Sequence, residues 1–511
     1  MKNRRQLYII FCVIFCVAAV LGYFFLWWQE DKAVKCEDCN LIMISLSNVS
    51  AEHMSLYGYE RLTTPRLDEW AKGAVVFENA FTQSSWTLPA ATSLFTSLYP
   101  YSHKIMDRFV SNILDENIQT LPEILNARGY KTAAFVGGLD YNIGFGHMRG
   151  FEEFSEALTV ETLFTRRSNN LAALSFAGFG RTLAKGFEWL EKNSEEKFFL
   201  FLHGYDTHCP FDPPAETKGT FSNTRGKDIT VDHKLCLRGF ADAESETYEA
   251  YYYNPGGVIK AILTKDDIAY LEDLYDEEIL AQDKLVGTFL DNLDEAVLDN
   301  TVIVVFSDHG EMFAKHGRFG RAGGVRGTLY DEVVHVPMIM KMPEQKGQRI
   351  GGLVQMVDVM PTLLDMFGVA QPEGLQGENV IPLITGEKQE VNDYVFTGSE
   401  FGSQKGRLIW PAYKLQSISE SVRSKEWKLI YEAELGEKGE IGDGAYELYN
   451  LNDDSEELRN VADKNPLEAA RLKEILSTWA AEAKSYGAEA LSAPQLLPPE
   501  IIESSKEHGY F

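Results

Sequence analysis

Thr301-Val302-Ile303-Val304-Val305-Phe306-Ser307-Asp308-His309-Gly310-Glu311 begins as an apolar, β-branched run and breaks at once into acid, imidazole and glycine. A run this short and this apolar, without polar alternation, suits a strand covered on both faces. Leu41–Leu46, Lys131–Val136, Phe198–Leu202 and Val336–Met340 are runs of the same kind. Helical patterns lie between them, one opened by Pro122–Asn126 and a long amphipathic one over Lys265–Leu293. Strand alternating with helix predicts an α/β three-layer sandwich around a large, mostly parallel sheet.

Three of the runs end in residues able to do chemistry. Ser47 and Asn48 follow the first, Asp206, Thr207 and His208 follow Phe198–His203, and Asp308 and His309 follow Thr301–Ser307. Open α/β sheets bind ligands beyond the carboxyl ends of their strands. Each cluster alone also reads as a loop or helix cap; together they predict one site. Asp308 and His309 offer an oxygen and an imidazole to one divalent ion, with Gly310 allowing the turn that brings them together.

In Trp86–Thr96, Pro89 suits a first helical turn and places Thr87 at a helix N-terminus. Thr87 reads as a capping residue, or as a nucleophile if a base or metal stands beside its hydroxyl. The segment from Lys315 to Arg326 carries Lys315, His316, Arg318, Arg321 and Arg326, with five glycines from Gly317 to Gly327 and no acid. Backbone N–H groups bared by glycine, together with arginine forks, are suited to an anion.

The chain has 511 residues, 45% of them hydrophobic, and a formal charge of −28. So negative a surface, read as solvated, disfavours nucleic acid as a partner. Lys2, Arg4 and Arg5 precede an apolar run from Leu7 to Trp28, and acids follow it at Glu30 and Asp31. About 20 apolar residues span a bilayer, and this run shows no small-residue cleavage site. The charge bias predicts an uncleaved anchor with its N-terminus in the cytoplasm and the body of the protein outside. Beyond the span stand Cys36, Cys39, Cys209 and Cys236. In an oxidising compartment they allow three pairings, and Cys36-Glu37-Asp38-Cys39 reads best as a structural disulfide ahead of the first strand.

After Gly386 the pattern shifts. Trp427–Tyr431 and Tyr446–Leu451 read as antiparallel strands and Asn465–Tyr486 as a helix. The predicted organisation is a cytoplasmic N-terminus (1–5), a transmembrane anchor (6–28), a linker (29–39), a catalytic domain (40–386), a small C-terminal α+β subdomain with an antiparallel sheet (387–486) and a tail (487–511).

Several motifs, in order, resemble the sulfatase branch of the alkaline-phosphatase superfamily. Asn40–Ser47 with Glu52-His53-Met54-Ser55-Leu56-Tyr57-Gly58-Tyr59 is similar to the family's opening. Trp86–Leu94 resembles its nucleophile helix. Asp206-Thr207-His208, Asp308-His309-Gly310-Glu311, Thr328–Glu332 with His335-Val336-Pro337, Asp358–Leu364, Arg423–Tyr431 and Glu447–Asn450 resemble its later segments. The resemblance implies an alkaline-phosphatase-like fold and attack by Thr87 on sulfur or phosphorus. It implies Asp308 and His309 as ligands of one divalent metal (Ca, Mg, Mn or Zn), and His208 and His316 as binders of ester oxygens or leaving-group acids.

The chain also departs from the family. Thr87, Pro89 and Ala91 stand where formylglycine sulfatases carry Cys or Ser, Pro and Arg, and Gly137-Gly138-Leu139-Asp140 replaces a lysine-bearing segment. A Thr nucleophile resembles the phosphoester branch, including lipid headgroup transferases. Ser47 and Asn48 occupy acidic ligand positions and would be neutral ligands. Arg326 stands where a His is usual, and with Lys315 and Arg318 it is expected to bind substrate. The expected function is metal-dependent hydrolysis or transfer of a sulfate or phosphate ester outside the cytoplasm. The substrate would be a sulfated glycan, a phosphodiester or a lipid headgroup. The alternative is a catalytically impaired relative that binds an anionic or glycan ligand.

Overall fold

The computed structural model describes residues 34–106, 113–156, 178–224, 229–233, 238–240, 247–254, 257–320, 328–401, 416–435 and 441–489. In chain order the strands are β1 (Asn40–Ser45), β2 (Val75–Phe81), β3 (Lys131–Val136), β4 (Glu153–Glu156), β5 (Phe198–His203), β6 (Arg238–Phe240), β7 (Thr247–Asn254), β8 (Gly257–Thr264), β9 (Thr301–Phe306), β10 (Arg318–Phe319), β11 (Met338–Lys341), β12 (Gln348–Gln355), β13 (Val395–Phe401), β14 (Gln416–Arg423), β15 (Trp427–Leu435) and β16 (Ala445–Asn450). The main sheet has eight strands in the order β12-β2-β11-β9-β1-β5-β3-β4. It is parallel except that β11 runs against both neighbours.

The strands at the centre, β9, β1 and β5, are the apolar runs of the sequence. β1 alternates its side chains between two cores. Leu41 and Met43 pack with Ala91, Leu94 and Phe95 of helix α1 (Thr87–Thr96), while Ile42 and Ile44 pack with Leu183 and Leu190 of α2 (Phe179–Asn193) and Leu271 and Leu274 of α3 (Lys265–Asp291). A strand with apolar residues on both faces must be covered on both, which is why the layers number three.

Two further helices carry the argument below, α4 (Asp331–Val334) and α5 (Val359–Met366), and a third, α6 (Pro466–Glu489), belongs to the C-terminal part. There β13–β16 form a four-stranded antiparallel sheet, as the sequence predicts. Its core is continuous with the large domain: Leu472, Leu476 and Trp479 of α6 pack with Leu429, Leu448, Tyr99, Tyr101 and Val357. A third sheet, β10-β6-β7-β8, joins Arg318–Phe319 to the segment 238–264, and the sequence pattern does not reveal it.

The acidic composition is not simply a solvated surface. Asp267, Asp273, Asp276, Glu277, Glu278 and Asp283 of α3 are all buried. They act as anchors for neighbouring loops. Asp267 accepts from Thr230 and Val231 backbone N–H groups, Glu277 from Phe221 and Ser222, Glu278 from Asp212, and Asp283 from Arg66 and Leu67. Asp276 holds the Arg61 guanidinium at 2.7 Å and the His53 ring at 2.8 Å. Burial works against a charged His53, yet Asp276 outweighs it and the ring is pushed up to about 9.

Cys36 and Cys39 are joined by a disulfide just ahead of β1, and Cys209 is also disulfide-bonded. Among the described residues no helix is long and apolar enough to cross a membrane. The apolar run from Leu7 to Trp28, on which the anchor rests, lies outside them, as do Arg321, Arg326 and Cys236.

Candidate active site

The register of the central strands lines up the predicted clusters. Ser45 of β1 lies opposite His203 of β5 on one side and Phe306 of β9 on the other. The segments that follow therefore leave the sheet side by side. Ser47 and Asn48 turn sharply, with φ of 53° and 51°. Two consecutive non-glycine residues in the left-handed region are strained, at a cost of about 1 kcal/mol or more each.

The turn is held by its neighbours. Asp308 Oδ1 accepts from the Asn48 backbone N–H at 3.0 Å and from its own neighbour, His309, at 3.2 Å. Thr207 donates its hydroxyl to Ser47 O at 2.6 Å, and Gln282 of α3 donates to that hydroxyl at 3.1 Å. Tyr275, also on α3, donates to Asn48 O at 2.7 Å and accepts from Ser50 N–H at 3.0 Å. Ser307 Oγ accepts from Val49 N–H at 2.9 Å and donates to His309 O at 2.9 Å.

Thr87 is the first residue of α1, not its cap; the cap position is Trp86, whose side chain makes no capping bond. The Thr87 hydroxyl instead meets His309 Nε2 at 3.1 Å. His309 Nδ1 lies 2.9 Å from Gly310 O, a carbonyl that can only accept, so Nδ1 carries the proton and Nε2 faces Thr87 with its lone pair. His309 Nε2 is also 3.5 Å from Asp308 Oδ2. Gly310 is required for a reason other than the one the sequence suggests: a Cβ there would stand 2.4 Å from Glu332 O.

Ligands at about 2.1–2.4 Å from one cation, at right angles, stand about 3.0–3.4 Å apart. His309 Nε2 has that spacing, within a few tenths, from Thr87 Oγ1 and from Asp308 Oδ2. Asp308 Oδ2 and Ser47 Oγ are buried and have no hydrogen-bond partner among the described residues. The donors thus fit a divalent ion in position. They fit it poorly in charge, because among the described residues no group of three or more His, Cys, Asp or Glu side chains could hold a metal.

His208 is stacked on Tyr205 with ring centroids 4.6 Å apart, and its Nδ1 is 2.8 Å from Cys209 O. The basic island is placed differently. Lys315 pairs with Glu52 at 3.2 Å, and Arg318 pairs with Glu432 of β15 at 2.8 Å while lying over the Tyr330 ring. His316 is stacked on Tyr330 at 3.6 Å. Burial, then Lys315, Lys428 and Arg318, push its ring down to about 3. The described contacts of Lys315, His316 and Arg318 therefore tie the island to Glu52 and to the C-terminal sheet.

Sequence reasoning missed His203, counted only as the end of a strand. Its Nδ1 donates to Gly137 O at 2.6 Å, and its buried Nε2 has no hydrogen-bond partner among the described residues. Burial pushes the ring down to about 4, against the pull of Asp308. The available signal was a polar residue closing an apolar run in register with Ser45.

A mostly parallel three-layer sheet, with a hydroxyl at a helix N-terminus facing a His-Asp pair at the strand ends, defines an ester hydrolase class of site. The sulfatase family profile matches residues 39–369, and the profile for the C-terminal region of N-sulphoglucosamine sulphohydrolase matches residues 325–482. The chain belongs to the sulfatase family, and is in that sense a sulfatase-like hydrolase of sulfate esters. Arylsulfatase K of Homo sapiens is 25% identical, over 86% of this chain and 81% of its own length. An N-acetylglucosamine-6-O-sulfatase of Bacteroides thetaiotaomicron is 23% identical, over 88% and 86%. Among solved structures, the phosphonate monoester hydrolase of Agrobacterium radiobacter superimposes with a TM-score of 0.64 at 20% identity, covering 89% of this chain and 96% of its own. The family typically works with a divalent metal such as calcium.

Proposed function

We propose that the protein cleaves or transfers a sulfate or phosphate ester outside the cytoplasm with Thr87 as nucleophile, anchored by its N-terminal apolar run. The observation that carries this is the meeting of Thr87 Oγ1 with His309 Nε2 at 3.1 Å, beside Asp308. Asp308, His309 and Ser47 would hold one divalent cation. When bound, it supplies a Lewis acid that polarises the ester and lowers the pKa of the Thr87 hydroxyl.

The chain's own residues supply the rest. The N-terminus of α1 directs free N–H groups toward negative charge, so it favours both an anionic ester and a forming alkoxide. Without a cation, His309 Nε2 accepts from the Thr87 hydroxyl and orients it; the same lone pair would face a bound cation, leaving that hydroxyl free to turn to the metal. His208 is the better donor for the leaving oxygen: it lies on the loop that Thr207 ties to Ser47. His316, neutral at working pH, has no proton of that kind to give. With Ala91 in place of an arginine, the substrate's anion would depend on Arg326 and the α1 terminus. The glycan-directed names of several relatives favour a sulfated glycan over a lipid headgroup as substrate.

A second reading, an anion- or glycan-binding relative without turnover, draws on Ser47, Ala91 and Arg326 and on the lack, among the described residues, of three His, Cys, Asp or Glu side chains grouped to hold a metal. The deciding experiment is metal analysis of the purified protein, followed by assay on aryl sulfate, phosphate monoester and phosphodiester substrates. Turnover that Thr87→Ala abolishes supports the first reading. No turnover with any divalent metal supports the second.

A further inference from the structure

The turn after β1 carries a side-chain amide at Asn48, and that amide is already engaged. Asn48 Nδ2 donates to Thr207 O at 2.7 Å and to Glu311 Oε2 at 3.2 Å, while its backbone N–H holds Asp308 Oδ1 at 3.0 Å. The residue is fully buried. Its three acceptors lie on the two loops that carry His208 and Asp308. Asn48 itself closes the third, after β1.

We propose that Asn48 is a positioning residue that cross-links the three site loops in place of a metal-bridging carboxylate, so that the pocket is assembled before any cation binds. A cation bridged by carboxylates performs this joining by attraction to negative charge. Without it, a carboxylate at position 48 would face the Glu311 carboxylate and the Thr207 carbonyl, three acceptors with no donor between them. An amide supplies two N–H donors at that point and carries no charge. Asparagine also tolerates the left-handed conformation found here better than most side chains. The inference rests on the proposed function only for where the cation would sit.

The test uses the full chain, melted in EDTA and in 1 mM calcium, with calcium binding followed by calorimetry. The wild type is expected to melt within about 2 °C in the two buffers. Asn48→Asp is expected to melt several degrees lower in EDTA and to be restored by calcium, becoming metal-dependent where the wild type is not. Adding Glu311→Gln exchanges the donor and acceptor; the double variant should recover at least half of the loss in EDTA. If Asn48→Asp fails to accumulate, a soluble double variant supports the proposal by itself. The proposal is overturned if Asn48→Asp melts like the wild type in EDTA, if calcium raises both proteins equally, or if the double variant gives no recovery. None of these readouts requires turnover, so they stand or fall separately from the Thr87 reading.

Discussion

Two buried polar clusters of the molecule are built on opposite principles. In the first, at the C-terminal subdomain, Lys428 of β15 pairs with Asp331 at 2.6 Å and Glu457 at 2.7 Å, and Arg423 of β14 pairs with Asp331 at 3.1 Å while lying over the Phe81 ring. Here cations answer carboxylates. Although burial opposes it, Lys428 and Arg423 hold Asp331 well below the usual carboxylate range, and burial pushes the second acid, Glu457, up. In the second cluster, at the ends of β1, β5 and β9, Ser47 Oγ, Asp308 Oδ2 and His203 Nε2 are buried without partners among the described residues. A buried polar atom left unpaired costs about 1–3 kcal/mol, so these three suit the cation proposed above better than the paired cluster does. The neighbours Asp331 and Glu332 show the contrast within one turn. Asp331 faces the paired cluster, whereas Glu332, with one oxygen on Phe313 N–H and the Glu52 carboxylate nearby, is pushed up to about 7 by burial and then by Glu52.

The largest test removes the hydroxyl at the open cluster. Thr87→Ala should lower kcat on a responsive ester by on the order of a thousandfold or more while changing the melting temperature little. A turnover that survives would dissolve the distinction between the two clusters. Next, Lys428→Met leaves two buried carboxylates against one arginine and should cost about 3–5 kcal/mol in urea unfolding, with calcium affinity unaltered. A neutral result would mean the paired cluster holds nothing together.

Glu332 sharpens the contrast through pH. Its raised pKa favours the folded state most below the unfolded value of about 4.5, and this contribution is lost as pH rises through about 7. Glu332→Gln should therefore flatten that part of the stability profile, by on the order of 2 kcal/mol between pH 4.5 and 7.5. An unchanged slope would show that Glu332 does not titrate there. The smallest expected effect is Ser47→Asp, which returns a carboxylate to the unpaired cluster. Calcium should bind about tenfold tighter by calorimetry, equivalent to about 1.4 kcal/mol; equal or weaker binding would show that Ser47 belongs to an adapted ligand set.

The central runs were legible because a doubly covered strand has nothing but apolar residues to show, and β9 and β3 begin and end where the runs do. The Asp308-His309 pair at a strand end and Thr87 at the start of a helix were legible as residue types in those places. The strands β2 and β12 were not, since Glu78, Asn79 and the glycine pair Gly351-Gly352 interrupt their pattern. The cationic island read as an anion site from its charge, its arginine forks and its glycines. The structure instead sets Lys315 against Glu52 and Arg318 against Glu432, acids distant in sequence. The buried acids of α3 were likewise read as surface, because their partners are backbone N–H groups and side chains such as Arg61 and His53 that lie far off in sequence.

By itself, then, the sequence determined the layered fold, the family and which polar clusters follow the central strands, since burial pattern and residue type are local properties. Only the tertiary structure decided that Thr87 faces His309 and caps nothing, that His203 lies in register with Ser45 with its Nδ1 on Gly137 O, and that Asn48 spends its amide on Glu311 and Thr207. Those outcomes depend on strand register and on contacts more than a hundred residues apart, and no local pattern encodes which acceptor a buried donor will meet.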